Sequence, residues 1–275
     1  MGIEANFVRL RDLNITLWKL IRNLYLSDTL THAYLMYDLI YDLERTEAVF
    51  AIRSGEVIAY LLCWKGPRVY GLHLWGIKDL FIELLNLGGE CLNYSRLYIQ
   101  LYNDDLSCVR ELAVYLNDLG FNVKVSRYLD MVTDEYKFRS YGGERARRLG
   151  IEDLDEFIRL KTVQGTIINK DLARELISKW RYYGLFINGR LVSIACRYIA
   201  LPDIWIIGDV FTHPDFRGKG YAKIVTSAIT RDAVVSGAKA LLHVREDNIP
   251  AIRVYKRLGY EVIRRRLWVH AIKEQ

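Results

Sequence analysis

The stretch Arg217-Gly218-Lys219-Gly220-Tyr221-Ala222 brings together two cations, two glycines and the start of a helical pattern. A diphosphate is held by backbone N–H groups that converge on it. Glycine lets the chain come close, and the start of a helix adds its positive dipole end. Residues 217–222 meet all three needs, because they follow an apolar β-rich run and lead directly into helical spacing. A lone Gly-x-Gly also describes a tight turn, so the assignment depends on what surrounds it.

The surrounding pattern alternates strands and helices. Residues 184–187 and 190–199 flank Asn188-Gly189, the strongest short hairpin signal, and 204–212 form a third apolar run. A turn-rich loop over 215–220 precedes a helix over 221–236, with Val225, Ala228, Ile229 and Asp232 at helical spacing and Gly237 at its end. A strand at 239–244, a short helix between 248 and 258 closed by Gly259, and a β-rich run at 261–271 complete this half. Two further helices, 151–161 and 170–180, precede it.

The first half repeats the order in faded form: helical stretches to about position 43, then 48–53, a turn at Ser54-Gly55, and 56–64. Leu119-Gly120-Phe121 and Leu258-Gly259-Tyr260 lie 139 positions apart (259 less 120), and Gly55 and Gly189 lie 134 apart (189 less 55). Near-equal offsets, with an apolar strand before each closing helix (97–101 and 240–244), point to a diverged tandem duplication. The polar segment 133–143, with Gly142-Gly143, reads as the linker. The expected domains are 1–140 and 144–275.

The run Val210-Phe211-Thr212-His213-Pro214-Asp215-Phe216-Arg217-Gly218-Lys219-Gly220-Tyr221-Ala222 resembles the acyl-CoA signature of the GNAT superfamily of N-acyltransferases. The core of that signature is Gln/Arg-x-x-Gly-x-Gly/Ala, matched here by Arg217, Gly220 and Ala222. A second family element follows in order: Asn248-Ile249-Pro250-Ala251-Ile252-Arg253-Val254-Tyr255-Lys256-Arg257-Leu258-Gly259-Tyr260. The resemblance covers 144–275. It implies an α/β (α+β) fold with a central twisted mixed sheet flanked by helices, whose fourth and fifth strands splay to admit the pantetheine arm. Together with the duplication, the expectation is two tandem copies.

The resemblance also implies roles. The backbone of Val210, Phe211 and Thr212 would meet the pantetheine amides, and Arg217, Gly218, Lys219, Gly220, Tyr221 and Ala222 would hold the pyrophosphate. Asn248 would hydrogen-bond near the cofactor, and Tyr255 would stand by the sulfur as general acid. Ala251, Val254, Tyr255 and Leu258 equally describe the buried face of an amphipathic helix. An amine nucleophile, with a pKa from about 8 to about 10.4, must lose a proton before it attacks. Where N-terminal peptide acetyltransferases of the family often read Leu-Glu-Val-Arg with Glu as base, this chain reads Leu242-His243-Val244-Arg245. Histidine, with a pKa near ~6.5, can take that role, and Asp209 is the rival candidate. The departure from Glu leaves the acceptor class open.

Composition bounds the rest. With 51% hydrophobic and 26% charged residues and no run of about 18 apolar positions, the sequence excludes a helical membrane protein. No secretory signal is visible, so the expected location is the cytoplasm. Cys63, Cys91, Cys108 and Cys196 stand apart without metal-ligand spacing; buried, reduced thiols and no metal are expected. The net charge of +6 suits a polyphosphate ligand as well as nucleic acid, and the runs around Arg147 and Arg265 lack the interleaved aromatics of a stacking platform. In the first half, Gly71 to Asp79 stands where the loop belongs but lacks its signature, so a degenerate copy without a CoA site is expected, with an unrelated accessory α/β domain as the alternative. Trp75, Tyr94, Tyr98 and Tyr102 there could line a pocket, although strand alternation explains most of them as core.

The function expected from these readings is transfer of an acetyl or short acyl group from acetyl-CoA to a primary amine of a peptide, protein or small molecule, by direct attack in a ternary complex. The alternative is a catalytically inactive acyl-CoA-binding regulatory or scaffold protein.

Overall fold

Both hairpin turns expected from sequence form as left-handed pairs, Ser54 and Gly55 at φ 53° and 78° and Asn188 and Gly189 at 51° and 77°. That geometry matches the right-handed twist of the strands it joins. The computed structural model describes residues 4–66 and 70–273. The chain divides into two units, 1–129 with 264–275, and 130–263.

The first unit contains β1 (Asn6–Arg9), α1 (Ile15–Ser27), α2 (Thr29–Tyr41), β2 (Thr46–Arg53), β3 (Glu56–Lys65), β4 (Tyr70–Gly76), α3 (Phe81–Leu87), β5 (Arg96–Leu101) and α4 (Leu106–Asp118), and most of β6 (Asn122–Thr133). In the second lie β7 (Arg147–Arg148), α5 (Leu154–Val163), α6 (Lys170–Lys179), β8 (Arg181–Ile187), β9 (Arg190–Ala200), β10 (Ile204–Thr212), α7 (Tyr221–Val235), β11 (Lys239–Arg245) and α8 (Ile249–Arg257), and the start of β12 (Glu261–Ile272).

Strand alternation sorts the first unit into layers. Val49, Ala51, Leu61 and Cys63 point to one face and pack with Leu84 of α3 and Leu112 of α4. On the opposite face Tyr60 stacks on Trp75 at 5.4 Å, and His32 of α2 meets both. The aromatic residues considered for a pocket are engaged in packing: Tyr94 lies 3.8 Å from Tyr70, Tyr98 lies edge-on to His270, and the Tyr102 hydroxyl is 2.8 Å from His73 Nδ1. All four cysteines are free and buried.

In the second unit, α5 and α6 bury Phe157, Leu160, Ala173 and Ile177 against Tyr182, Ile194 and Cys196 of the sheet, while α7 packs against β8 to β11. Side chains accept from the first-turn N–H groups of five helices: Asn14, Asp28, Asp105, Asn169 and Asn248. Each such cap stabilises its helix by about 1 kcal/mol. Helix α7 starts on Gly220 with no side-chain cap.

The division differs from the expected 1–140 and 144–275. The end of β12 pairs antiparallel with β5, from Leu267↔Leu101 to Ile272↔Arg96, within the first unit, while 130–133 at the end of β6 belong to the second, where β6 neighbours β11. Pattern reveals a strand but not its partner. The segment read as a linker is also bonded into the second unit. Asp134 accepts from the N–H groups of Tyr136 and Lys137, Arg139 N–H donates to the Leu258 carbonyl at 3.0 Å, and Tyr141 N–H donates to Ser227 Oγ at 2.8 Å. Gly259 has φ 90°, and a Cβ there would stand 1.9 Å from the Lys137 carbonyl oxygen, so the chain crossing requires glycine.

Candidate functional site

The second unit has a split in its sheet. Parallel pairing of β10 with β11 runs from Ile204↔Lys239 to Ile207↔Leu242 and ends there, although β10 continues to Thr212 and β11 to Arg245. On its other side β10 carries a bulge: Gly208 faces Cys196 and Phe211 faces Ile194, so Asp209 and Val210 together oppose one residue of β9. The end of the β11 pairing after Ile207 and the bulge at Asp209 and Val210 adjoin one another on β10. In the first unit, β4 pairs with β5 from Tyr70↔Leu97 to Leu74↔Leu101, the last residue of β5. There the pairing reaches the end of β5, and only β4 runs on, by two residues, to Gly76.

Asp209 sits in the bulge with φ 47°, a conformation a non-glycine residue keeps only when its surroundings fix it. Three donors do so. Lys161 Nζ and Tyr182 Oη reach Oδ2 at 2.8 and 2.7 Å, and Gln164 Nε2 reaches Oδ1 at 2.8 Å. The Lys161 and Asp209 side chains are only 7% and 8% exposed, so this is a buried ion pair. Asp209, one of the two candidate bases, therefore has the surroundings of a structural lock. Burial, with the adjacent Asp209 charge, keeps the Tyr182 phenol protonated far above its ordinary range.

Beyond the bulge, the Ser193 hydroxyl donates to the Phe211 carbonyl at 3.0 Å and contacts Thr212 Oγ1, which ties this edge of β10 to β9. Residues 214–216 form one 3-10 turn, and Arg217 Nε returns to the Thr212 carbonyl at 3.2 Å. Gly218 and Gly220 take φ 78° and 79°. No side chain caps the first-turn N–H groups of α7 at Gly220, and Lys219 and Arg217 just before it are both exposed. Tyr141 backs the loop: its ring lies 3.8 Å from where a Gly220 Cβ would stand, and Lys223 Nζ lies 3.2 Å from its centroid. The loop has cations, a bare helix end and close-approach glycines, the features an anion needs.

Tyr255 lies on α8 and is 7% exposed. Burial alone pushes its phenol pKa well above the ordinary value, with no charged or hydrogen-bonding neighbour contributing. Its ring is 6.0 Å from that of Tyr260, whose hydroxyl pairs with Thr230 Oγ1 at 2.7 Å. Asn248 Oδ1 caps the same helix through the Ala251 N–H at 3.3 Å. His243 follows Leu242, the last residue of β11 paired with β10, and its Nδ1 is 2.7 Å from Asp130 Oδ1. Sequence reasoning named neither Asp130 nor Lys161, Gln164, Tyr182 or Tyr141. Each bonds to a named residue, or stands beside one, across a long sequence separation, and single-sequence periodicity carries no trace of such pairs.

A cavity of about 710 Å³ in the first unit is floored by Val49, Leu61 and Cys63, and no residue named above for the site lines it.

Residues 182–269 match the family described as FR47-like protein. Acetyltransferases of Yersinia enterocolitica and Pectobacterium atrosepticum are each 42% identical over 50 and 52 residues; the match takes in 18% of this chain in both cases. The chain spans about a third of the length of these curated relatives, 36% and 37%. Among solved structures, a GCN5-related N-acetyltransferase from Sphaerobacter thermophilus has TM-score 0.59 at 17% identity, covering 98% of this chain and 96% of its own. A tandem GNAT protein from the clavulanic acid biosynthesis pathway has TM-score 0.56 at 12% identity, covering 98% of both chains. At these identities the likeness to solved structures is one of fold. Over residues 182–269 the sequence is thus similar to the FR47-like family, and the fold of the chain is similar to that of GNAT proteins, a tandem one among them.

Proposed function

We propose that the second unit binds an acyl-CoA, acetyl-CoA in the first instance, on residues 210–222, and transfers its acyl group to a primary amine. The observation that carries this reading is the coincidence, in one unit, of the opened β10–β11 ladder, the bulge beside it and the uncapped α7 start with Arg217 and Lys219. The uncapped N–H groups at the start of α7 fit a pyrophosphate, and the unpaired edge of β10 at Val210, Phe211 and Thr212 fits the amides of an extended arm. Bound acyl-CoA supplies an activated thioester. The chain's own residues hold it in place, remove a proton from the amine at His243, and offer the Tyr255 hydroxyl to the sulfur. Asn248, as helix cap, keeps α8 and hence Tyr255 in register.

Two expectations for this reading belong to the proposal alone. The acceptor is a free amine of a peptide or small molecule, and the first unit, whose β4–β5 pairing reaches the end of β5, takes no CoA.

Calorimetry with acetyl-CoA on the wild type and on Gly220→Glu tests the donor site. The variant places a carboxylate where an anion should bind and strains a residue at φ 79°, so binding should weaken by about thirtyfold or more, roughly 2 kcal/mol. Equal binding by both proteins, or none by the wild type at millimolar acetyl-CoA, would remove the basis for the assignment. Binding without turnover of any amine would favour the acyl-CoA-binding scaffold instead.

A further inference from the structure

We propose that Asp130 is a positioning residue for His243, holding it in the tautomer whose Nε2 can take a proton from the acceptor amine; this rests on the acyltransferase reading above. An ionised carboxylate is an acceptor only, so across the 2.7 Å contact between its Oδ1 and His243 Nδ1, Asp130 in that form selects the tautomer with the imidazole hydrogen on Nδ1. The lone pair then resides on Nε2, the atom a general base uses. The arrangement also answers the energetic objection to a buried base. His243 is 6% exposed and Asp130 is fully buried. An isolated imidazolium there would be costly, but the proton taken from the amine leaves a cation already in contact with a carboxylate.

Place in the fold supports the same role. His243 is the first residue of β11 past the ladder with β10, level with the bulge that Asp209 occupies. Of the two carboxylates near the opening, Asp209 is held by Lys161, Gln164 and Tyr182, whereas Asp130 is directed at the imidazole. Asp130 also comes from β6, which begins in the first unit, so the second unit acquires this residue from the other half of the sequence. The step balances simply. The amine nitrogen gives its proton to Nε2 and forms the bond to the acyl carbon; the carbon–sulfur bond breaks with its electron pair leaving on the thiolate, and the imidazolium returns its proton through water to that sulfur.

The experiment uses the full chain. Imidazole ¹⁵N NMR on the wild type should show His243 as the Nδ1–H tautomer, shifting toward Nε2–H in Asp130→Asn. Acetyl-CoA affinity by calorimetry should stay within about twofold, since the loop is untouched. Thiol release should then be followed with three probes: a hexapeptide with a free N-terminus, L-lysine and spermidine. Asp130→Asn should lower kcat about thirtyfold with KM for acetyl-CoA unchanged, and in a His243→Ala background it should cost nothing further. A wild-type Nε2–H tautomer, or an Asp130→Asn enzyme as fast as wild type, would overturn the proposal and leave the pair as a tie between strands. If none of the probes is acylated, the tautomer alone decides. Failure of the wild type to bind acetyl-CoA would sink the acyltransferase reading, an outcome distinct from any tautomer result.

Discussion

Lys161→Met should destabilise the second unit by about 3–5 kcal/mol, the usual cost of removing one partner from a buried ion pair. Lys161 and Asp209 are 7% and 8% exposed at 2.8 Å, so water cannot replace the lost ammonium around the carboxylate. Methionine preserves the length of the apolar stem, which makes the effect one of charge rather than of a cavity. Two responses are open to Asp209: it takes up a proton, or it leaves the position its φ of 47° requires. Either one disturbs the bulge formed by Asp209 and Val210, so acetyl-CoA binding should weaken along with stability. Urea unfolding followed by a probe in the second unit measures the first effect and calorimetry the second. Adding Asp209→Asn should recover most of the stability, because an amide with Gln164 and Tyr182 nearby carries no net charge. A loss below about 1 kcal/mol in the single variant would mean that solvent screens the pair and that something else fixes the bulge.

The loop and the closing helix were legible in the sequence because each is local. Arg217, Gly218 and Gly220 lie within one turn of each other, and the start and end of α8 could be read from Asn248 and Gly259 in a single stretch. The hairpins were legible for the same reason, since Asn188-Gly189 and Ser54-Gly55 fix a turn by their own backbone preferences. The repeat offset likewise survived as a tandem fold. What escaped is everything that depends on a partner distant in sequence. Lys161 meets Asp209 across 48 positions and Asp130 meets His243 across 113, and a single lysine or aspartate in an otherwise ordinary element has no period. The destination of β12 escaped for a related reason: alternation marks 261–272 as a strand, but it is silent on whether that strand serves its own half or, as the pairing with β5 shows, the other. Segment 134–142 is polar enough to read as a linker, yet its polar atoms are used in turns and contacts within the second unit, including the crossing over Gly259.

Tyr255→Phe should separate activity from stability in opposite directions. The phenol is 7% exposed, and only burial raises its pKa, which means that its hydroxyl gains nothing from a charged or hydrogen-bonding neighbour in the folded protein. Removing such a hydroxyl while keeping the ring against Tyr260 should leave stability unchanged or raise it by up to about 1 kcal/mol. For catalysis, the raised pKa keeps the group protonated throughout the neutral range, so a donor is always present. It also makes the phenol a weaker acid than an ordinary thiol, whose pKa is about 8.5, so complete transfer to the sulfur runs uphill. The phenol therefore acts by donating a hydrogen bond as negative charge develops on the sulfur, in a buried site where such a bond is worth most. Loss of one donor of this kind costs about 100- to 1000-fold in kcat. Acetyl-CoA affinity should change less than twofold, and the rate should show no loss attributable to Tyr255 as pH rises from 7 to about 10, because the group ionises above that range. Measured kcat, calorimetric affinity and the urea midpoint together decide the matter. A slower enzyme of equal or greater stability assigns Tyr255 to the chemistry, whereas unchanged kcat would make it one more aromatic side chain on the buried face of α8.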